Sequence, residues 1–304
     1  MEEKLLFGAL EAGGTKMVMS ILDDNGMMLE RVAIPTQTPA QTMPQMIAFF
    51  RERGICALGI GCFGPLDLNP ASPTYGFITT TPKLPWRHFP LLSEFVKALN
   101  IPVGLDTDVN CAALAEHRLG AAKGLGSCVY VTVGTGIGGG IIINGQRVHG
   151  LMHPELGHQL IFPEANDPSP DGFCPYHKRC LEGLASGPAI MKRWGMPAQK
   201  LPADHPAWVL EASYMAQMCV NAIMSFSPEK IILGGGVMHK ELLLPMIREK
   251  TLQLLNGYIG SPVINEGMRN YIVVPGLGDN SGVMGAWLLA CEVYAHAKVG
   301  SGNL

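Results

Sequence analysis

The sequence predicts an α/β protein built from two similarly constructed halves, and three observations carry that prediction. Strand-length apolar runs alternate with segments of helical spacing along the chain. A strand, a glycine turn and a returning strand occur over Lys4–Leu22 and again over Ser127–Ile143. Such weak internal repetition is what two copies of one plan leave behind. Finally, 304 residues exceed one average domain, and 47% hydrophobic against 15% charged residues excludes a disordered chain. A net charge of −3 offers no basic footprint for nucleic acid or an anionic membrane.

Taken in order, Lys4–Leu10 reads as a buried strand, Glu11–Thr15 as a glycine-bearing turn and Lys16–Leu22 as the returning strand. Asn25-Gly26 is a hairpin signal leading to a third strand, Met27–Ala33. Gln41–Arg53 has helical spacing and stops before Gly54. Ala57–Cys62 and Ile101–Leu105 are apolar strands flanking a Pro-rich surface segment, Phe63–Pro90, and Asn110–Leu119 is helical. Then Ser127–Val133, the turn Gly134–Gly138 and Gly139–Ile143 repeat the opening. A helix over Trp208–Phe226, a strand over Lys230–Leu233, a helix from about His239, a strand over Tyr271–Val274 and a helix over Gly282–His296 complete the chain. The expected domains are 1–118, with 282–304 packing back on it, and 119–281. Asp167–Phe173 and Gly300–Leu304 are expected to be mobile.

The acidic start Met1-Glu2-Glu3 has no signal-peptide character. The uncharged stretch Gly124–Gln146 is long enough to span a bilayer, but the glycines at its centre make it a poor helix. A cytoplasmic protein with reduced cysteines and no membrane partner is expected.

The chain holds 37 glycines, and three groups of them adjoin strands. Glu11-Ala12-Gly13-Gly14-Thr15-Lys16 combines exposed backbone N–H groups, a hydroxyl and a cation. Gly134-Thr135-Gly136-Ile137-Gly138-Gly139-Gly140 repeats the idea, and Gly234-Gly235-Gly236 follows a later strand. One such turn is ordinarily only a turn; three shared between two halves point to a nucleotide cleft. No Walker pattern is present, and Gly134-x-Gly136-x-x-Gly139 runs into strand, where a dinucleotide fingerprint needs helix.

Asp106-Thr107-Asp108-Val109-Asn110 follows a buried strand and opens a helix. A carboxylate there can take the proton of a hydroxyl attacking a phosphate, although Asp and Asn are also common helix caps. Spacing leaves Asp106 and Asp108 as alternatives for the base.

Of the 8 cysteines, Cys174 and Cys180 form Cys-x2-His-x2-Cys with His177. Three ligands in seven residues can share one ion, and tetrahedral zinc needs a fourth. His158 is the nearest donor, with His149 and His153 as alternatives. The polar, Pro-bearing loop Pro163–Gly172 has no core of its own, which favours a structural zinc. The other six cysteines read as packing residues.

Together these strings resemble the ROK family of sugar kinases, repressors and open reading frames, over nearly the whole chain. The match rests on Val131 to Gly139, Gly150, Glu155-Leu156-Gly157-His158 and Cys180-Leu181-Glu182. Glu11 to Lys16, Asp106 to Asn110 and Cys174 to His177 look most like its zinc-containing fructokinase subgroup. The resemblance implies a two-lobe, actin-like (ribonuclease H-like) ATPase fold with an inter-lobe active-site cleft and a zinc loop over 158–180. It implies ATP with Mg²⁺, a hexose, and a homodimer. Asp108 matches the family's base. Glu155, His158 and Glu182 match sugar-binding positions, with Asn110 beside them. His158 then faces both zinc and sugar, and the metal fixes its imidazole. Thr135 matches a phosphate contact beside Gly134 and Gly136, and Pro188, Gly235 and Gly236 lie near the adenosine. Many relatives carry Asp where this chain has Glu11, which shifts the expected Mg²⁺ position. Glucose-specific relatives carry Asn where this chain has Thr107, which argues against a strict glucokinase. The expected reaction is ATP-dependent phosphorylation of D-fructose at its 6-hydroxyl. Alternatives are mannose, glucose or an N-acyl hexosamine as substrate, or a non-catalytic sugar-responsive regulator.

Overall fold

The computed structural model describes residues 5–301. Lys4, in the expected first strand, and Gly302–Leu304, in the tail expected to be mobile, lie outside the described residues. Contacts divide the chain into two compact units. Unit 1 comprises the chain up to Ala115, Val148–His153 and Asn280 onward; unit 2 comprises Glu116–Arg147 and Pro154–Asp279.

In unit 1, β1 (Leu6–Ala12), β2 (Lys16–Asp23) and β3 (Met28–Pro35) form an antiparallel meander. Its second turn is Asp23–Gly26, with Gly26 at φ 79° and its N–H on the Asp23 carbonyl (3.1 Å). Helix α1 (Pro39–Glu52) opens with proline at its first position, where a missing N–H costs nothing. β4 (Ala57–Cys62) follows, then α2 (Leu91–Leu99), β5 (Val103–Thr107) and α3 (Asp108–Arg118), within which the division into units falls. The sheet order is β3-β2-β1-β4-β5, with β1, β4 and β5 parallel.

Unit 2 repeats this plan. β6 (Cys128–Val133), β7 (Ile137–Ile143) and β8 (Gln146–Arg147) form the meander. Asn144 and Gly145, both at positive φ, turn the chain between β7 and β8, where the turn between β2 and β3 uses positive φ at Gly26. Helices α4 (Leu181–Ala185), α5 (Gly187–Trp194) and α6 (Ala207–Phe226) precede β9 (Ile231–Gly234). After it come α7 (Leu243–Leu255), α8 (Pro262–Asn265), α9 (Met268–Tyr271) and β10 (Ile272–Val273). The order β10-β9-β6-β7-β8 carries the directions of the first sheet. The final helix, α10 (Ser281–Ser301), belongs to unit 1.

Both faces of β1, β2 and β4 are covered, which is why those strands read as near-continuous apolar runs, whereas the edge strand β3 is largely exposed. One face packs Leu10, Leu58 and Ile60 with Met46 and Phe50 of α1 and Phe95 of α2. The other packs Phe7, Ala9 and Val18 against Val283, Ala286 and Trp287 of α10. Glycine sets the closeness of α10: a Cβ on Gly59 would lie 1.9 Å from the Ala286 carbonyl oxygen, and one on Gly285 1.8 Å from that of Cys111.

Several expectations need correction. Asp167, expected in a mobile segment, is instead buried: it pairs with Arg193 at 2.8 Å and accepts the Tyr214 hydroxyl at 2.5 Å, so one acid anchors the start of this polar loop. The helix after the third glycine turn begins at Leu243, not near His239, because residues 235–242 form successive turns. Cys56 and Cys291, read as packing residues, are half-buried and pack against the edge of the core beneath α10. No helix among the described residues is long and apolar enough to cross a membrane.

Candidate functional site

In unit 1 the acidic turn sits at the C-terminal end of β5, where a parallel strand delivers its side chains to the sheet edge. Thr107 caps α3, its Oγ1 accepting the Asn110 N–H at 3.1 Å, so neither aspartate is needed as the cap. Asp106 is buried and committed: its carboxylate accepts from Thr107 N–H (2.8 Å) and Asn110 Nδ2 (2.8 Å), and His149 Nε2 lies 3.1 Å away. Asn110 is buried too, its amide held by Asp106. Asp108 keeps some exposure at the first position of α3 but lies deep in the protein, and accepts the Val109 N–H at 2.9 Å. Burial raises its carboxyl from 3.8 to about 6, opposed by the backbone N–H groups that favour the charged form. The two aspartates thus separate: one is fixed in a network, the other is a carboxyl near neutrality.

His149 and His153, considered as metal donors, lie in the Val148–His153 segment of unit 1. His149 faces Asp106, and His153 Nε2 accepts the Leu66 N–H at 2.9 Å. The grip of His149 on Asp106 was not visible in the sequence, because 43 residues separate the partners. The first glycine turn is closed by Gly13 N–H on the Lys16 carbonyl (3.0 Å) and braced by the Thr36 hydroxyl on the Gly13 carbonyl (2.8 Å). Thr15 and Lys16 are exposed on it.

In unit 2 three distant strings converge on the end of β6. Gly134 N–H donates to the Gly136 carbonyl (2.9 Å), closing the second turn around Thr135. Gly187 N–H, beside Pro188 at the start of α5, donates to the Gly134 carbonyl (2.8 Å). Val237 N–H donates to the Val133 carbonyl (3.0 Å). Gly235, at φ 89°, has no room for a side chain, since a Cβ would lie 2.5 Å from Val133 N. Gly236 faces open space.

Glu182 of α4 joins this turn to the cysteine cluster. Its Oε2 accepts the Ile137 N–H at 2.9 Å, and its Oε1 lies 4.0 Å from His158 Nε2. The other ring nitrogen of His158, Nδ1, is 3.5 Å from Cys180 Sγ and 3.9 Å from Cys174 Sγ. His177 Nδ1 is 3.8 Å from Cys174 Sγ. All four candidate ligand atoms lie within 4.8 Å of one another. Tetrahedral zinc bonds of about 2.0 Å to nitrogen and 2.3 Å to sulfur place ligand atoms about 3.5 Å apart, so the donor set fits such an ion. His158 reaches it from a tight 3₁₀ turn over Leu156–His158, which presses on β7 because Gly157 has no Cβ; one would lie 1.7 Å from the Ile137 carbonyl oxygen. Glu155 precedes that turn.

The family model described as the ROK family matches residues 7–293. A fructokinase of Pediococcus pentosaceus is 46% identical, covering 96% of this chain and all of the relative. A fructokinase of Zymomonas mobilis is 43% identical, over 95% of this chain and 97% of the relative. Among solved structures, a ROK family glucokinase from Streptomyces griseus in complex with glucose and AMPPNP superposes with a TM-score of 0.76 at 26% identity, over 95% of this chain and all of that one.

Proposed function

The chain belongs to the ROK family, and from that premise we propose that it is a fructokinase, transferring the terminal phosphoryl group of ATP to the 6-hydroxyl of D-fructose. The observation that carries the reading is Asp108. It is a carboxyl with a pKa of about 6 at the end of β5, in a chain more than 40% identical to two fructokinases along nearly its whole length.

In this reading Asp108 accepts the proton of the attacking hydroxyl as the new phosphorus–oxygen bond forms. A base of pKa about 6 is ionised at neutral pH yet basic enough to take that proton as the bond develops. The Asp106–Asn110–His149 network holds the turn, so Asp108 needs no reorganisation. The backbone N–H groups and hydroxyls of Gly13-Gly14-Thr15 and Gly134-Thr135-Gly136 bind phosphate, and Lys16 adds charge at the rim of the first turn. Gly234, Gly235, Gly236 and Pro188 border the adenosine. Glu155, His158 and Glu182 orient the sugar.

Mg²⁺ accompanies ATP and neutralises its phosphates. Glu11, at the end of β1 with its carboxyl against Gly282, is the acid suited to meet the ion's water shell. The His158, Cys174, His177 and Cys180 set holds a structural zinc, which fixes the His158 ring with Nε2 toward Glu182. Thr107 favours fructose over glucose: its hydroxyl is engaged by α3, and it offers no amide to a hexose. The reading extends to a homodimer working in the cytoplasm.

A coupled ADP-release assay across fructose, mannose, glucose and N-acyl hexosamines tests the proposal. Fructose is expected to give the highest kcat/KM; a higher value for another sugar transfers the assignment to it, and no turnover with any sugar refutes the kinase.

A further inference from the structure

The Pro-rich stretch between β4 and α2 has no part in the reaction as described, yet it is anchored by a buried tryptophan and carries a cation to the first glycine turn. Trp86 is fully buried, its indole N–H on the Gln37 carbonyl at 2.6 Å and its ring edge-on to Phe63 and Phe89. Trp86 N–H donates to the Lys83 carbonyl (2.9 Å), and Lys83 N–H donates to Thr81 Oγ1 (3.3 Å). The backbone of Lys83 is thereby fixed on a 3₁₀ turn, Leu84–Trp86.

From that base the Lys83 side chain runs to Gly14. A Cβ on Gly14 would lie 2.7 Å from Lys83 Cε and 3.2 Å from Nζ, so the glycine is what admits the lysine. Phe63 supplies an aromatic wall, its ring centroid 5.8 Å from Nζ. The ammonium is half-buried, and burial pulls its pKa below the ordinary lysine value, with no carboxylate among the described residues acting to restore it. A cation that has lost hydration, meets no acid among the described residues and lies on a glycine turn is arranged to receive an anion. Lys16 is placed differently: its carbonyl closes the turn, and its side chain is exposed.

We propose that Lys83 contacts the terminal phosphate of ATP, holding it against the Gly13–Thr15 turn and stabilising its negative charge during transfer. The inference rests on the ATP-dependent sugar kinase reading. The bond between fructose O6 and the γ-phosphorus forms as the bond from that phosphorus to the β–γ bridging oxygen breaks. The hydroxyl proton goes to Asp108, ADP leaves with the bridging oxygen, and Lys83 keeps its proton throughout.

Calorimetric binding of Mg·AMPPNP and Mg·ADP to the wild-type chain and to Lys83→Met tests this, with thermal unfolding as a check on folding. AMPPNP is expected to weaken about tenfold or more and ADP less than about twofold, because only the former has the third phosphate. The variant's kcat should fall about 100-fold with the fructose KM nearly unchanged, and Lys83→Arg should recover part of it. Equal weakening of both nucleotides, or weakening of neither, overturns the proposal. Its failure is distinguishable from failure of the parent reading. A wild-type chain that prefers AMPPNP through Lys83 but phosphorylates no hexose refutes only the kinase. A chain that phosphorylates fructose equally well without Lys83 refutes only the lysine.

Discussion

Replacing Asp108 by Asn removes one charge from the end of β5 while keeping the side chain's size and its acceptor for the Val109 N–H. Two consequences of opposite sign follow. The base is lost, and general-base catalysis contributes about 10²- to 10⁴-fold, so kcat should fall below about 1% of wild type. Stability should rise. In the folded chain the carboxyl titrates at about 6, above its ordinary 3.8, so ionising it costs the folded state more than the unfolded one. At about 1.4 kcal/mol per pH unit, that difference withholds up to about 3 kcal/mol above pH 6, less whatever residual solvent contact relieves. The penalty grows as pH rises from 3.8 toward 6 and is absent below 3.8. Chemical denaturation of both proteins at pH 8 and pH 4 should therefore show Asp108→Asn more stable at the higher pH and equal to wild type at the lower. In the ADP-release assay, wild-type kcat/KM should drop on the acid side with an inflection near 6, and fructose binding by the variant should stay within about threefold, since the base acts mainly in the transition state. A variant that keeps more than about a tenth of kcat, or that is less stable at pH 8, would refute the assignment of Asp108 as a buried base.

Metal analysis of the purified chain should return one zinc per molecule, and Cys180→Ser should lose it together with several kcal/mol of stability, as at other structural zinc sites; a wild-type chain free of metal and indifferent to chelators would remove the zinc. Gly59→Ala should cost more than about 2 kcal/mol in denaturant unfolding, because its methyl must displace the α10 backbone at Ala286, whereas Gly236→Ala, facing open space, should leave stability unchanged and raise the KM for ATP. Asp167→Ala strands the buried Arg193 guanidinium and should cost about 3–5 kcal/mol, read by thermal or chemical unfolding.

The two-fold plan of the chain was legible because strand–glycine–strand is a local pattern, and local patterns survive in a single sequence. Even the short β8 has a visible signal in Asn144-Gly145, the counterpart of Asn25-Gly26, but two residues of strand give no periodicity to detect. Helix α2 directly follows Pro90, whose neighbourhood reads as loop, so its nine residues leave no clear start signal. The cluster of Cys174, His177 and Cys180 is legible from spacing, since seven residues can bring three candidate ligands together without help from the rest of the fold. His158 could be proposed as the fourth donor but not selected from His149 and His153 by spacing alone. What separates them is that Val148–His153 belongs to the other unit, and only the folded contacts carry that information.

Asp106 and Asp108 show the same limit at the proposed base, and Lys16 and Lys83 show it at the proposed phosphate site. Both aspartates stand at the end of one strand, and what distinguishes them is the partners each acquires from elsewhere: Asp106 meets Asn110 and His149, while Asp108 meets burial without a cation. Lys16 adjoins the glycines in sequence, so it was the natural candidate for the cation of the turn, yet the strand that begins with it carries its side chain into solvent. Lys83, 69 residues beyond Gly14, arrives by way of a segment whose prolines suggested only a surface loop. Adjacency in sequence determines which backbone N–H groups a turn presents. The charge above that turn is placed by tertiary structure, here by one buried tryptophan and by the absence of a single methyl group at Gly14.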